Sequence, residues 1–426
     1  MTTDRLATGG HEGVYRRNFA VMVTDGILFT LAMGIIGANT VIPDFVQRLT
    51  GSEILIGLSG SLFELGWALP QLLVARWIVR FERKKWWFVG PKIPLLPVLL
   101  VLAGVVVILG PERPRALLVA LFVCYGFLAI GDGLVGVPWL DLTASSLDER
   151  WRARLFGFTT AGGGLVLLAA SPLIGWVLGS SGPAFPNDYA LLFAVAGALL
   201  VASIVPLLFI HELPGGRAAP TLPPLRHFLP GLGRLLRDDV RFRSIVLIRL
   251  LTSLFLMASP FYVGYATGRL GVAREVAVPV QVASQTVGTV SGALLYTWLG
   301  ARNNVLYLRL ALAGAAVLPV AALLAAVVGP WLLYVGFLAS GLAFSNLLFG
   351  YQNWIVGHAP ADERPLYVGL FNTCSAAATL VAPFLAGLVV QHLGFGPLFV
   401  VATVTALSAL WMAQRSLTTP VPAGVT

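Results

Sequence analysis

The sequence has few charged residues for its length. Asp, Glu, Lys and Arg make up 11% of the 426 residues, whereas soluble globular domains carry roughly 25%. Hydrophobic residues make up 57%, and long apolar stretches separate the charges. Because so few charges cannot cover a chain of this size in water, we exclude a soluble globular protein. A lipid bilayer can surround such a chain if helices satisfy the hydrogen bonds of its backbone.

Cysteine and histidine are also scarce. Cys124 and Cys374 lie in apolar segments and offer neither a disulfide framework nor metal-ligand spacing. The five histidines are scattered, without the spacing of an acid–base pair or a ligand set. We therefore expect no catalytic residue, no metal and no cofactor. The net charge of +9 is spread over short segments between apolar stretches, which argues against a nucleic-acid-binding patch.

The apolar stretches have the length of membrane spans. A helix crosses a bilayer with about 20 apolar residues, and on this measure the sequence predicts spans at 19–46, 54–79, 87–110, 115–141, 155–179, 189–211, 244–268, 275–299, 304–328, 331–357, 366–392 and 395–414. The sequence therefore predicts an all-α polytopic membrane protein with twelve transmembrane helices.

The twelve spans form two groups of six. A segment rich in Pro and Gly, 212–243, lies between them and has the composition of a linker. We predict a six-helix bundle at 1–211, a cytoplasmic linker at 212–243 and a second six-helix bundle at 244–426. Most Lys and Arg residues lie on the side of both termini, so the positive-inside rule predicts a multi-pass protein of the cell inner membrane with cytoplasmic termini.

The two groups of spans repeat each other. The tripeptide Asp-Glu-Arg follows the fourth span at 148–150 and the tenth at 362–364. In the same order, Trp139 matches Trp354, and Lys92 in the third span matches Arg309 in the ninth. Parallel repeats of six helices are one of the recurring plans of secondary transporters.

The loop between the second and third spans carries a family motif. Residues 75–84 resemble the loop motif of the major facilitator superfamily: the basic positions match at Arg80, Arg83 and Lys84, while Val79 replaces the motif's Asp. The resemblance covers nearly the whole chain. It implies a fold of six plus six helices, alternating access by rocking of two bundles, and a gating role for this loop. Because the motif's Asp is missing, we expect Asp141 or Glu82 to be the partner of its arginines.

Carboxyl groups inside predicted spans are candidates for proton coupling. Ionisable side chains in membrane segments usually face a cavity or a partner, and a carboxyl group in low dielectric can load and release a proton. Glu64 is the first candidate, followed by Asp132 and Asp25. The alternatives are a helix-to-helix hydrogen bond for Glu64, a salt bridge with Arg249 or another cytoplasmic-side base for Asp132, and pairing with Lys92 or Arg249 for Asp25. Lys92 and Arg309 are expected to extend to the lipid headgroups.

Neutral amides inside the spans are candidates for substrate binding, and hydrogen bonds between helices are the alternative. They are Asn39 in the first span, Gln281 and Gln285 in the eighth, Asn346, Gln352 and Asn353 in the tenth, and Asn372 in the eleventh.

Three functions remain open from the sequence. The favoured one is a monomeric, proton-coupled secondary transporter that exports a hydrophobic or amphipathic compound, because residues 171–176 keep the Pro-x-x-Gly part of an antiporter motif and the acids lie mostly in the first half. The second is a proton symporter that imports a sugar or another polar metabolite, which the amides favour. A membrane sensor or a membrane-embedded enzyme is the least favoured.

Overall fold

The computed structural model describes residues 12–78, 85–147, 149–212, 235–300, 302–345, 347–360 and 364–418. The regular elements of these residues are all helical. Up to residue 212 the helices are α1 (Glu12–Ile36), α2 (Val41–Leu49), α3 (Glu53–Ile78), α4 (Lys85–Leu95), α5 (Val98–Leu109), α6 (Pro114–Ser146), α7 (Glu149–Leu178) and α8 (Asn187–Leu207). From residue 240 they are α9 (Val240–Leu256), α10 (Tyr262–Gly268), α11 (Arg274–Leu295), α12 (Asn304–Val328), α13 (Trp331–Phe344), α14 (Leu347–His358), α15 (Arg364–Leu393) and α16 (Phe395–Ser416).

Helix lies at each of the twelve predicted span positions. Among the described residues, 8 helical stretches are long and apolar enough to cross a membrane. The remaining four positions hold α3, α11, the pair α13 and α14, and α15. The all-α polytopic fold predicted from the sequence is therefore confirmed.

Glycines end several helices where the backbone becomes left-handed. Gly37 has a φ of 52° and follows the last residue of α1, and Gly110 has a φ of 62° at the end of α5. A residue with a Cβ is disfavoured in this conformation, whereas glycine adopts it readily. At Gly37 the first predicted span therefore divides into two helices, α1 and α2.

The chain packs as two compact units. The first comprises Met1–Ala38 and Leu62–Leu222, and the second comprises Asn39–Ser61 and Pro223–Thr426. Residues 39–61 precede the linker in the sequence but pack with the residues that follow it. Of the three boundaries between the units, one falls next to Gly37 and another falls within α3. The division of the sequence at 212–243 stays a prediction.

Residues 39–61 contact the rest of the second unit through small and charged side chains. A Cβ on Gly57 would approach the Pro383 carbonyl oxygen to 2.5 Å, so glycine permits the close contact of α3 with α15. The Arg274 Nε atom donates to the buried Asp44 carboxylate over 2.7 Å. This pair ties α2 to the first residue of α11.

Each unit has a polar junction where the ends of several helices meet. In the first unit, the buried Asn18 amide donates to the carbonyl oxygens of Ser146 and His211 over 3.1 and 2.8 Å, and its oxygen accepts from the His211 N–H over 2.9 Å. This junction joins α1 to the ends of α6 and α8.

In the second unit, Asp239 forms the corresponding junction. Its carboxylate caps α9 by accepting from the Phe242 N–H over 2.8 Å, and it also bonds His358 over 2.8 Å and Tyr367 over 3.1 Å. Burial alone would raise the pKa of Asp239, but these hydrogen bonds and the His358 imidazole outweigh burial and hold the pKa below its ordinary value. The junction joins α9 to the end of α14 and the start of α15.

Cations at the start of α4 and within α12 bind carbonyl oxygens at the end of the last helix of each unit. The Lys85 ammonium donates to the Leu208 and Ile210 carbonyl oxygens just after α8, over 2.7 and 2.9 Å. Arg309 donates to the carbonyl oxygens at the end of α16, those of Ala413, Gln414 and Leu417, over 3.3, 3.1 and 2.8 Å. Helix-end carbonyls thus bind the Arg309 guanidinium, and its extension to the lipid headgroups stays a prediction.

Candidate functional site

A buried cluster of ionisable groups lies inside the first unit. The Lys92 ammonium of α4 is 3.5 Å from the Asp25 carboxylate of α1, and both side chains are 5% exposed. The ammonium also lies over the Phe88 ring, 4.3 Å from its centroid. The prediction that Lys92 extends to the headgroups is therefore wrong, whereas the alternative pairing of Asp25 with Lys92 is present.

Two further side chains complete this cluster. Asp132 of α6 interacts electrostatically with both Lys92 and Asp25, and the buried Ser203 hydroxyl of α8 hydrogen-bonds Asp25. Four helices, α1, α4, α6 and α8, thus place two carboxyl groups around one ammonium. We call Asp25, Lys92, Asp132 and Ser203 the carboxylate–lysine cluster.

Glu64 lies outside this cluster. Its side chain on α3 is exposed and acts electrostatically on the fully buried Tyr125. The ring of the neighbouring Phe63 is 5.9 Å from that of Tyr125. Of the three acids expected to couple protons, the structure thus brings Asp25 and Asp132 together and leaves Glu64 apart.

The second unit contains a cation, Arg249, in the middle of α9. The Arg249 Nε atom of α9 donates to the Ser375 hydroxyl of α15 over 3.2 Å. Beside it, the Tyr351 hydroxyl of α14 and the Thr252 hydroxyl bond each other over 2.9 Å, and both side chains are buried. Tyr351 also interacts electrostatically with Arg249. We call Arg249, Thr252, Tyr351 and Ser375 the arginine site.

The candidate amides fall into three groups. Asn372 and Asn353 are exposed, whereas Asn39, Gln285 and Gln352 are half-buried. Gln281 is buried, and its Oε1 atom has no hydrogen-bond partner among the described residues. Asn346 lies outside the described residues. Asn372 is three positions before Ser375 on α15, which places it on the same helix face, beside the arginine site.

The sequence matches one protein family along most of its length. The model of the Major Facilitator Superfamily matches residues 26–321 and 273–426. The chain belongs to the major facilitator superfamily. It is accordingly a multi-pass membrane protein of a transporter family, and its general function is transport rather than enzymatic catalysis. No curated protein sequence matches the chain significantly.

Solved structures of major facilitator transporters share the fold at low sequence identity. A D-xylose-proton symporter is 14% identical, with a TM-score of 0.67 and coverage of 95% of this chain and 98% of that chain. The nucleoside transporter NupG is 13% identical, with a TM-score of 0.65 and coverage of 92% and 97%. An inward-facing, unoccupied bacterial homolog of the human lysosomal transporter Spinster is 14% identical, with a TM-score of 0.62 and coverage of 95% of both chains.

The loop motif of this superfamily lies largely outside what the structure describes. Arg80, Arg83 and Lys84 are outside the described residues, and Asp141 lies within α6 with its side chain undescribed. The gating role of these four residues stays a prediction.

Several residues of the two sites were missed by sequence reasoning. Ser203, Ser375, Thr252 and Tyr351 are common residue types in membrane helices, and no spacing marks them. Ser203, Ser375 and Tyr351 matter because each one interacts with an ionisable side chain, and Thr252 matters because it bonds Tyr351. Such contacts appear only when distant helices are packed together. Within the described residues, no group of three or more His, Cys, Asp or Glu side chains could hold a metal ion.

Proposed function

We propose that the protein is a proton-coupled secondary transporter of a small molecule, and that the carboxylate–lysine cluster is its proton site. The observation that supports this proposal best is the pairing of Asp25 with Lys92 beside a second carboxyl group, Asp132. The D-xylose-proton symporter, which shares the fold, is a relative whose own name states proton coupling.

Charge counting explains why this cluster suits proton exchange. One ammonium balances one carboxylate, so a second ionised carboxylate leaves the cluster with a net negative charge. Unbalanced charge away from water is costly, and a proton on either carboxyl group removes it. Release of that proton becomes favourable once water or a conformational change alters the surroundings of Asp132. The cluster can therefore hold one exchangeable proton.

Binding and release of one proton at this cluster fit the export of a hydrophobic or amphipathic compound. The proton site then lies in one bundle and the substrate contacts lie in the other, so that both are reached as the bundles rock. We place the protein in the cell inner membrane as a monomer, with both termini in the cytoplasm. The distribution of Lys and Arg along the sequence supports this orientation.

Proton symport of a sugar or another polar metabolite is the second candidate. The amides favour it, in particular Gln281, whose buried oxygen has no partner among the described residues. An unsatisfied acceptor of this kind can receive a hydrogen bond from a substrate hydroxyl.

The test uses the full chain in proteoliposomes. Binding is first screened by thermal stabilisation with sugars, nucleosides, lipophilic cations and lipophilic anions. Transport of the compounds that bind is then measured with and without an imposed pH gradient. We expect Asp132→Asn and Asp25→Asn to abolish gradient-driven accumulation while exchange of internal for external substrate continues.

Glu64→Gln serves as the matched variant, because this acid lies outside the cluster. The assignment of the proton site is wrong if both aspartate variants still accumulate substrate. If Glu64→Gln alone removes the effect of the gradient, the proton site lies at Glu64 instead.

A further inference from the structure

The second unit has a membrane-embedded cation and no membrane-embedded acid to neutralise it. From Val240 to Thr426 the sequence contains three acidic residues, Glu275, Asp362 and Glu363. Glu275 is the second residue of α11, and the other two lie in the segment between α14 and α15. Asp44, which also belongs to this unit, is bonded to Arg274. The unit also contains Glu53, the first residue of α3, Asp238, next to the N-cap of α9, and Asp239, which bonds His358. Every acid that the second unit contributes therefore lies at a helix end or is already paired with another base.

Arg249 lies well inside its helix. It is the tenth residue of α9, which places it about 14 Å along the helix axis from Val240. Its partner Ser375 is the twelfth residue of α15, about 16 Å from the start of that helix. Half the hydrocarbon thickness of a bilayer is about 15 Å. The contact between Arg249 and Ser375 therefore lies inside both helices and not at their ends.

Among the described residues, the protein supplies a hydrogen-bond acceptor to only one nitrogen of the Arg249 guanidinium, Nε. Ser375 accepts from Nε, and it directs its own proton to the Phe371 carbonyl oxygen over 2.7 Å. No described residue accepts a hydrogen bond from the Nη atoms of Arg249, and no carboxylate among the described residues lies within salt-bridge distance of it. A guanidinium cannot lose its charge in a protein, so the charge persists and its outer N–H groups remain available.

The surroundings of Arg249 form a site with fixed walls. Ser375 is 7% exposed, and Thr252 and Tyr351 are fully buried. The Tyr351 ring also packs on Phe371, with centroids 5.6 Å apart. Arg249 itself is only half-buried, and Asn372 on the same face of α15 is exposed. The guanidinium is thus held by rigid neighbours on one side and is open on the other.

We propose that Arg249 is the substrate-binding counter-charge, and that the transported compound carries an anionic group such as a carboxylate, sulfonate or phosphate. The two Nη groups match the paired oxygens of these anions. Asn372, which is exposed, can supply one further hydrogen bond. The inference rests on the proposed transport function and narrows its substrate to amphipathic anions.

The experiment compares anions with neutral compounds of the same shape. The purified full chain is titrated with benzoate, benzenesulfonate and inorganic phosphate, and with benzamide and benzylammonium as the neutral and cationic counterparts. Thermal unfolding and equilibrium binding are both recorded. We expect the wild type to bind at least one anion more tightly than benzamide, and Arg249→Gln to raise the Kd for that anion about thirtyfold. Arg249→Lys should recover part of the loss.

The control is Arg309→Gln, which removes another membrane cation of the same unit. Because Arg309 binds helix-end carbonyls, this variant should be less stable but should keep the preference for the anion. The proposal is overturned if no anion in the panel binds better than benzamide, or if Arg249→Gln keeps the preference.

Failure of the transport proposal gives a different result. If the aspartate variants still accumulate substrate but anion binding depends on Arg249, the proton assignment is wrong and the anion site stands. If proton-driven transport depends on the cluster but the substrate is neutral, the anion site is wrong and the proton assignment stands.

Discussion

In the first unit, the Lys92 ammonium has the Asp25 carboxylate 3.5 Å away and Asp132 nearby. In the second unit, the Arg249 guanidinium has only the Ser375 hydroxyl as its hydrogen-bond partner among the described residues. The first arrangement is nearly balanced in charge and can change by one proton. The second has a fixed positive charge that no acid among the described residues of its unit is placed to neutralise. Two repeats of one helical plan can therefore divide the work of a transporter, with proton exchange in one and ligand binding in the other.

The largest expected difference between the units is the loss of folding stability when the cation, Lys92 or Arg249, is removed. Lys92→Met leaves Asp25 buried without its counter-charge, and loss of one partner of a buried pair costs about 3 to 5 kcal/mol. Arg249→Met leaves no buried carboxylate unpaired, since Ser375 still donates to Phe371. We expect this second loss to stay below about 1 kcal/mol. The measurement is the free energy of unfolding in mixed micelles at neutral pH.

A double variant checks the cause of the first loss. Lys92→Met combined with Asp25→Asn should recover most of the stability, because the unpaired charge is gone. Equal losses for the two single variants would mean that Arg249 has a strong partner after all, and the contrast between the units would fail.

A smaller difference is expected where the two units are built alike. Arg309→Gln removes three hydrogen bonds to the carbonyls after α16, and Lys85→Gln removes two to the carbonyls after α8. Losses of about 2 and about 1 kcal/mol follow from charge-assisted bonds at a partly exposed helix end. Hydrogen exchange of the last turns of α16 and α8 measures each loss separately. Unchanged protection in both variants would show that these cations do not fix the helix ends.

The sequence predicted the helices better than the contacts of their charged side chains. Apolar length and Pro or Gly interruptions placed helix at all twelve positions, because the bilayer requires this backbone structure wherever the chain crosses it. Lys92 illustrates the limit. Its position near a helix end is typical of a side chain that reaches the headgroups, but Asp25 lies 67 residues away in the sequence and becomes its neighbour only after α1 and α4 pack.

Residues 39–61 show that the sequence also fails to predict which segments pack into one unit. They belong to the first two predicted spans, yet they pack with the second unit. The contacts responsible, such as that of Gly57 with Pro383 and that of Asp44 with Arg274, join positions more than 200 residues apart. Hydrophobic periodicity carries no information about such pairs, so a division at the linker is the natural prediction from sequence.

The smallest expected effect is a response to pH at one junction and not at the other. The folded pKa of Asp239 lies below its ordinary value, so the unfolded chain binds a proton here at a higher pH than the native protein does. The stability from this carboxylate is therefore complete above the ordinary aspartate range, near pH 4. It is lost as the pH falls from there through the lower, folded pKa. The groups that face Asp239 are His358 on α14 and Tyr367 on α15.

Asn18 provides the built-in comparison, because its amide makes the corresponding junction of the first unit and does not titrate. Hydrogen exchange between pH 7 and pH 3, corrected for intrinsic rates, should show early opening of the first turn of α9, with no matching change at the start of α1. Asp239→Asn should remove this dependence on pH while keeping the helix cap, since asparagine is also a favoured N-cap residue. If the wild type and Asp239→Asn open in parallel as the pH falls, acid sensitivity comes from other carboxylates and the two junctions do not differ in this respect.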